Sequence, residues 1–127
     1  MEKIKEGKEG KERGPKVCTR KDCLVIRLPE ELDNYQTEKI RKETDPLFEE
    51  GRFRNVLFDF SEVSFMDSSA IGMIMGRYRK TKAFGGHVGV YGAGQRISRL
   101  LSLSGIQGMF TLFASEKEAA EEFGISE

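Results

Sequence analysis

Between Cys23 and Phe123 the chain alternates short apolar runs of strand length with longer segments of helical spacing, an order that few architectures accept. Val17-Cys18-Thr19 and Cys23-Leu24-Val25-Ile26-Arg27-Leu28 read as strands joined through the polar Arg20-Lys21-Asp22, which makes a local hairpin. Val56-Leu57-Phe58-Asp59-Phe60 is almost continuously apolar, as expected of a central strand covered by helices. Val88 to Tyr91 and Met109 to Phe113 supply two more strands. Asp33 and Gln36 have capping-box spacing, and Ile40, Thr44, Leu47 and Phe48 follow at helical intervals up to Gly51. Pro46 either kinks that helix or opens a new short turn behind Asp45. Further helices are predicted from about Ser68 to Thr81 and from Gln95 to Leu103, closing at Gly105. Ser115 with Glu118 makes a second capping box that opens a last helix ending near Gly124. The order implies one α/β domain: a mostly parallel mixed sheet with an N-terminal edge hairpin, about four helices and right-handed crossovers.

Composition limits what such a domain does. Lys plus Arg and Asp plus Glu each total 21, so no net field draws in nucleic acid. No run approaches the roughly 18 apolar residues of a membrane span, and no secretory signal is present, so a cytoplasmic protein with no membrane partner is expected. Residues 1–15 carry only Met1 and Ile4 as apolar side chains among charges and glycines. They are expected to form a disordered charged tail, with residues 16–127 as the folded domain. Cys18 and Cys23 read as free thiols on strands, and with His87 the sole histidine no zinc site of the usual Cys and His ligands can be assembled. Gly92-Ala93-Gly94 opens a helix after a strand, but Ile97 stands where a dinucleotide loop has its third glycine. No catalytic constellation, cofactor or metal site is expected.

Chemistry concentrates in Ser64-Phe65-Met66-Asp67-Ser68-Ser69-Ala70-Ile71-Gly72, where an acid and two hydroxyls sit at the start of a helix. Asp and Ser are ordinary N-caps, which alone would account for them. The helix that follows has two unlike faces. Ile71, Ile74, Met75 and Tyr78 form an apolar stripe suited to the core, while Ser69, Gly72, Met73, Gly76, Arg77 and Lys80 are predicted to project away from it. Two helical glycines cost about 1 kcal/mol each relative to alanine, so the pair implies close approach, either by a partner or by a neighbouring helix.

The run Phe65-Met66-Asp67-Ser68-Ser69-Ala70-Ile71-Gly72 with Met75-Gly76-Arg77-Tyr78 resembles the signature of STAS-domain anti-sigma factor antagonists, most closely those directed at anti-sigma-F factors. Cys23 to Leu28, Glu31-Leu32-Asp33, Gly85-Gly86 and Leu103-Ser104-Gly105-Ile106 extend the likeness over about Val17 to Gly124. Ala70 in place of a common glycine, the Asn34-Tyr35 pair and the longer tail depart from it. The resemblance implies a non-enzymatic switch. By this likeness the unphosphorylated protein is expected to bind an anti-sigma factor, itself an ATP-dependent serine kinase, and so release the sigma factor. Phosphorylation at Ser68 is expected to abolish binding, and a serine phosphatase to reverse the modification. It further implies Asp33 at the partner surface; with the outward helix face read above, the expected partner-binding set is Asp33, Asp67, Ser68, Ser69, Gly72, Met73, Gly76 and Arg77. A phosphate on Ser68 is expected to meet free helix amides and the positive end of the helix dipole.

Overall fold

The computed structural model describes residues 14–125. Most of the segment expected to be a disordered tail lies outside these residues. The chain opens with an antiparallel hairpin, β1 (Lys16–Arg20) and β2 (Cys23–Arg27), with Arg20 opposite Cys23. Its tight turn places Lys21 at φ 56°, in the left-handed region. A two-residue strand β3 (Glu31–Leu32) leads into α1 (Asn34–Glu50), followed by β4 (Asn55–Asp59), a second two-residue strand β5 (Phe65–Met66) and α2 (Ser68–Ala83). Then come β6 (Val88–Tyr91), α3 (Gln95–Leu103), a 3₁₀ turn (Gln107–Met109), β7 (Thr111–Phe113) and α4 (Glu116–Glu122). The last strand is shorter than the sequence pattern suggests, because the 3₁₀ turn takes up Met109.

The main sheet has the order β1-β2-β4-β6-β7, with β4 central and every pair after the hairpin parallel. Alternation along the strands divides the core into two layers. Leu24, Ile26, Val56, Phe58, Val88 and Val90 point to the face covered by the first three helices. Cys23, Val25, Leu57 and Tyr91 point to the other, where Ala119 and Ala120 of α4 pack. Gly89 is required on that second face: a Cβ there would lie 2.6 Å from the Phe113 ring, which stands edge-on to Phe123.

α1 is one unbroken helix, which settles the alternatives at Pro46. Asp33 caps it by accepting the Gln36 amide at 3.0 Å, but the reciprocal half of the capping box is absent and Gln36 Oε1 is buried without a partner. Pro46 is exposed, so the Lys42 carbonyl that it deprives of an N–H can be hydrated. Gly51 ends the helix at φ 66°. At α4, Ser115 accepts the Glu118 amide, while the Glu118 carboxylate accepts from Ala114, one residue ahead of the cap.

Arg27, Asp59 and Tyr91 lie in register across three parallel strands at their carboxyl ends. Asp59 accepts from Arg27 Nε at 2.9 Å and from the amide and hydroxyl of Ser61 at 2.8 and 2.6 Å. Burial by itself would raise its pKa, but the hydrogen bonds from Ser61, Tyr91 and Arg27 outweigh that and hold it below the usual carboxylate range. A depressed carboxylate pKa contributes stability above the unfolded-state value and loses it as pH falls through the folded-state value. Asp59→Asn is therefore expected to cost about 2 kcal/mol at neutral pH. Urea denaturation at pH 7 and pH 3 checks this, and the gap from wild type should shrink at the lower pH.

Candidate functional site

The two shortest strands build the site. β3 and β5 pair in parallel, with Leu32 opposite Met66, so the next residues, Asp33 and Asp67, come abreast. Each is the N-cap of a long helix, and α1 and α2 therefore start side by side and run in the same direction. The sequence pattern left Ser61 to Met66 as a linking segment, since two-residue strands carry no periodicity.

Asp67 Oδ1 accepts the amide of Ser69 at 3.0 Å and also the Ser69 hydroxyl. The Ser69 side-chain bond is the largest influence holding the Asp67 carboxyl below the ordinary range, and the amides of Ser69, Ala70 and Asn34 add to it. Thr37 Oγ1 lies 3.4 Å from Ser69 Oγ and donates to the Asn34 carbonyl at 2.9 Å. Ser69 is thus half-buried with its proton committed. Ser68 is exposed, and its hydroxyl has no hydrogen bond among the described residues. Two neighbouring serines of the same helix turn are chemically distinct: one is fixed in a cap and the other is free.

The expected anion site on the first amides of α2 needs correction. Asp67 already takes the Ser69 amide through its carboxylate and the Ala70 amide through its carbonyl. A group added to Ser68 Oγ would lie in solvent beside a carboxylate, with that part of the helix terminus already satisfied.

Of the residues predicted to face a partner, Asp33, Asp67, Ser68 and Ser69 gather at the paired helix starts. Gly72 is exposed and Gly76 half-exposed down the outer side of α2. Met73 and Arg77 were predicted to project outward, and the structure corrects both: they are 0% and 4% exposed. The reason is that α2 has two neighbours, the sheet and α1, so its buried arc is wider than one apolar stripe. Arg77 donates to Thr44 Oγ1 at 3.0 Å and Asp45 Oδ1 at 2.8 Å and lies over the Phe48 ring, leaving Nε unpaired. Burial lowers its pKa, and Asp45 opposes that shift. Ile71, Met75 and Tyr78, read as core, are only half-buried.

A cleft of about 230 Å³ adjoins Ser68, between the start of α2 and the end of α3, lined also by Met66, Asp67, Ile71, Leu100 and Ser104. Leu103, at the end of α3, is exposed. The signal for this surface lay in α3, where Ile97 and Leu101 fill the buried stripe and leave Leu100 and Leu103 in excess. By contrast, Gly92-Ala93-Gly94 is a structural turn: Gly92 sits at φ 85°, and a Cβ there would lie 2.6 Å from Ser61 Oγ. His87 is exposed at a strand start.

The chain belongs to the STAS domain family, whose pattern it matches over residues 15–119. It is similar to the anti-sigma F factor antagonist of Paenibacillus polymyxa, 28% identical over 102 residues, covering 80% of this chain and 87% of that one. It is 25% identical to the anti-sigma-B factor antagonist of Bacillus subtilis (strain 168) over 94 residues, 74% of this chain and 84% of that one. Among solved structures, the Bacillus cell fate determinant SpoIIAA in its phosphorylated form superposes with a TM-score of 0.72 at 27% identity, covering 86% of this chain and 98% of that one.

A Cβ built on Gly76 meets nothing within 4 Å, and one on Gly72 meets only Arg41 Nη2 at 3.7 Å. Internal packing therefore does not require either glycine. Gly76→Ala is expected to stabilise the isolated protein by about 0.5–1 kcal/mol and raise Tm by about 2–4 °C, as a thermal melt followed by circular dichroism would register.

Proposed function

We propose that this protein is an anti-sigma factor antagonist that acts as a binding switch rather than an enzyme. Unphosphorylated, it binds an anti-sigma factor that is also a serine kinase and so frees a sigma factor. Phosphorylation of Ser68 ends binding, and a serine phosphatase restores it. The observation that carries this reading is the contrast between the free, exposed Ser68 and the hydrogen-bonded Ser69. The likeness to anti-sigma F factor antagonists and to a STAS protein solved in a phosphorylated form supports it. Such a switch belongs in the cytoplasm, in a sporulation pathway. Similarity to the anti-sigma-B antagonist favours a second pathway as the alternative, such as a general stress response.

The docking surface comprises Asp33, Asp67, Ser68, Ser69, Gly72 and Gly76, together with the apolar cleft beside Ser68. Met73 and Arg77 support it from inside. The physics of release is local. A phosphate brings a charge of about −2 next to Asp67, and at about 5 Å from an acidic partner group this costs a few kcal/mol at intermediate dielectric. With the Ser69 and Ala70 amides already taken by Asp67, they do not neutralise the added charge.

Incubation with the anti-sigma kinase and ATP should place one phosphate on Ser68 by mass spectrometry and none on Ser69. Modification elsewhere would refute the assignment. In titrations, Ser68→Ala should bind as wild type does, while Ser68→Asp should lose about a hundredfold in affinity, or about 2.7 kcal/mol. Equal binding by Ser68→Asp would remove the electrostatic account. Gly76→Leu should weaken the complex at least tenfold while leaving Tm within a few degrees of wild type, about 1.4 kcal/mol confined to binding.

A further inference from the structure

At the pole formed by the paired helix starts, α1 and α2 touch through a ladder of side chains. Thr37 reaches Ser69, and two turns further along Arg77 reaches Thr44. Arg41 lies between these rungs and faces Gly72, which has no side chain to meet it. A Cβ at Gly72 would lie 3.7 Å from Arg41 Nη2. The guanidinium therefore rests over bare helix backbone.

Two guanidiniums occupy this groove, and they differ in commitment. Arg77 is buried, with Thr44 and Asp45 as fixed partners. The Arg41 side chain is 37% exposed and gives one N–H, from Nη1, to Glu38 at 2.7 Å. Glu38 is itself exposed, so the pair contributes little and exchanges readily. The other Arg41 donors, on Nη2 and Nε, have no hydrogen bond among the described residues.

Ser68 and Gly72 are four residues apart and both exposed, so they share one face of α2, with Cβ positions about 5–6 Å apart. A helical Cβ leans toward the N-terminus, and a group touching the Cβ position of Gly72 already lies on its Ser68 side. A phosphate on Ser68 extends into the remaining gap. The acids of the site, Asp33 and Asp67, oppose its charge, and Asp67 has taken the Ser69 and Ala70 amides. Arg41 is the cation left on this side. Arg96 and Arg99 stand exposed on α3, across the cleft that adjoins Ser68.

We infer that Arg41 is the built-in counter-ion of phosphorylated Ser68: its guanidinium leaves Glu38 for the phosphate, and the resulting bridge lies across Gly72. This inference rests on the switch proposed above and deepens it. A planar guanidinium suits bidentate phosphate binding, and a charge of about −2 outcompetes the single charge of Glu38. The bridge stays solvated, so part of the added charge still repels an acidic partner group. Its further effect is steric. The bare strip of α2 that is open in the unmodified protein is covered in the modified one.

Phosphoserine encoded genetically in place of Ser68 tests this without a kinase, through a phosphorus NMR titration of the full chain. Loss of a neighbouring cation disfavours the dianion, so Arg41→Gln should raise the second phosphate pKa by about half a unit or more, and Glu38→Gln should lower it. Arg41→Lys should keep part of the effect, since the charge stays and the fork is lost. Salt at about 0.5 M should shrink the difference between wild type and Arg41→Gln. In the unphosphorylated chain Arg41→Gln should leave Tm within about 2 °C of wild type. A phosphate pKa unmoved by Arg41→Gln would overturn the bridge, as would an equal rise from Arg96→Gln or Arg99→Gln. Failure of the switch itself is a different result: a kinase reaction that leaves Ser68 unmodified.

Discussion

The site depends on a parallel pairing only two residues long. Because Leu32 lies opposite Met66, Asp33 and Asp67 emerge abreast, and each closes the open end of a long helix. Without that pairing, the N-termini of α1 and α2 would be set independently by their own loops. With it, they form one surface, and the nearby amide of Asn34, at the start of the neighbouring helix, is among the influences that lower the Asp67 pKa. The Thr37 hydroxyl, 3.4 Å from Ser69 Oγ, gives the two helix starts a direct side-chain contact as well.

The same carboxylate separates the two serines. By accepting both the amide and the hydroxyl of Ser69, Asp67 holds that side chain in the cap and leaves Ser68 as the exposed, unpaired hydroxyl of the two. The helix continues the division. Its inner arc holds Met73, Ile74 and Arg77 against the sheet and α1, and its outer arc offers Gly72 and Gly76 with open space above the latter. A backbone bare of side chains costs helix stability, and nothing inside the protein compensates for it at Gly76.

Much of this was legible in the sequence because it rests on local rules. Alternation in β2, β4 and β6 marked the strands, cap spacing marked α1 and α4, and Asp67-Ser68 marked the start of α2. What failed did so for tertiary reasons. Arg77 and Met73 fall outside the stripe of Ile71, Ile74 and Met75, yet they are buried, because a helix with two neighbours needs a wider inward face than periodicity reveals. An arginine is a poor core residue by composition, and only the facing Thr44, Asp45 and Phe48 make its burial tolerable. The β3–β5 pair left no trace, since two residues cannot display a period. The occupation of the Ser69 and Ala70 amides likewise depends on which way one carboxylate turns.

Rigidity at this pole makes a surface switch reasonable without a change of fold. Arg27 on β2 holds the buried Asp59 carboxylate at the carboxyl end of β4, with Tyr91 of β6 in register beside it, and Ser61 joins the following loop to the same group. That loop leads within a few residues to β5 and Asp67, so the segment bearing Ser68 starts from a fixed strand end and arrives at a fixed cap. A charge added at Ser68 therefore has little slack to absorb it by local rearrangement. Its free energy is expressed against whatever approaches from outside, and the paired caps and the bare side of α2 are the ground on which such an approach takes place.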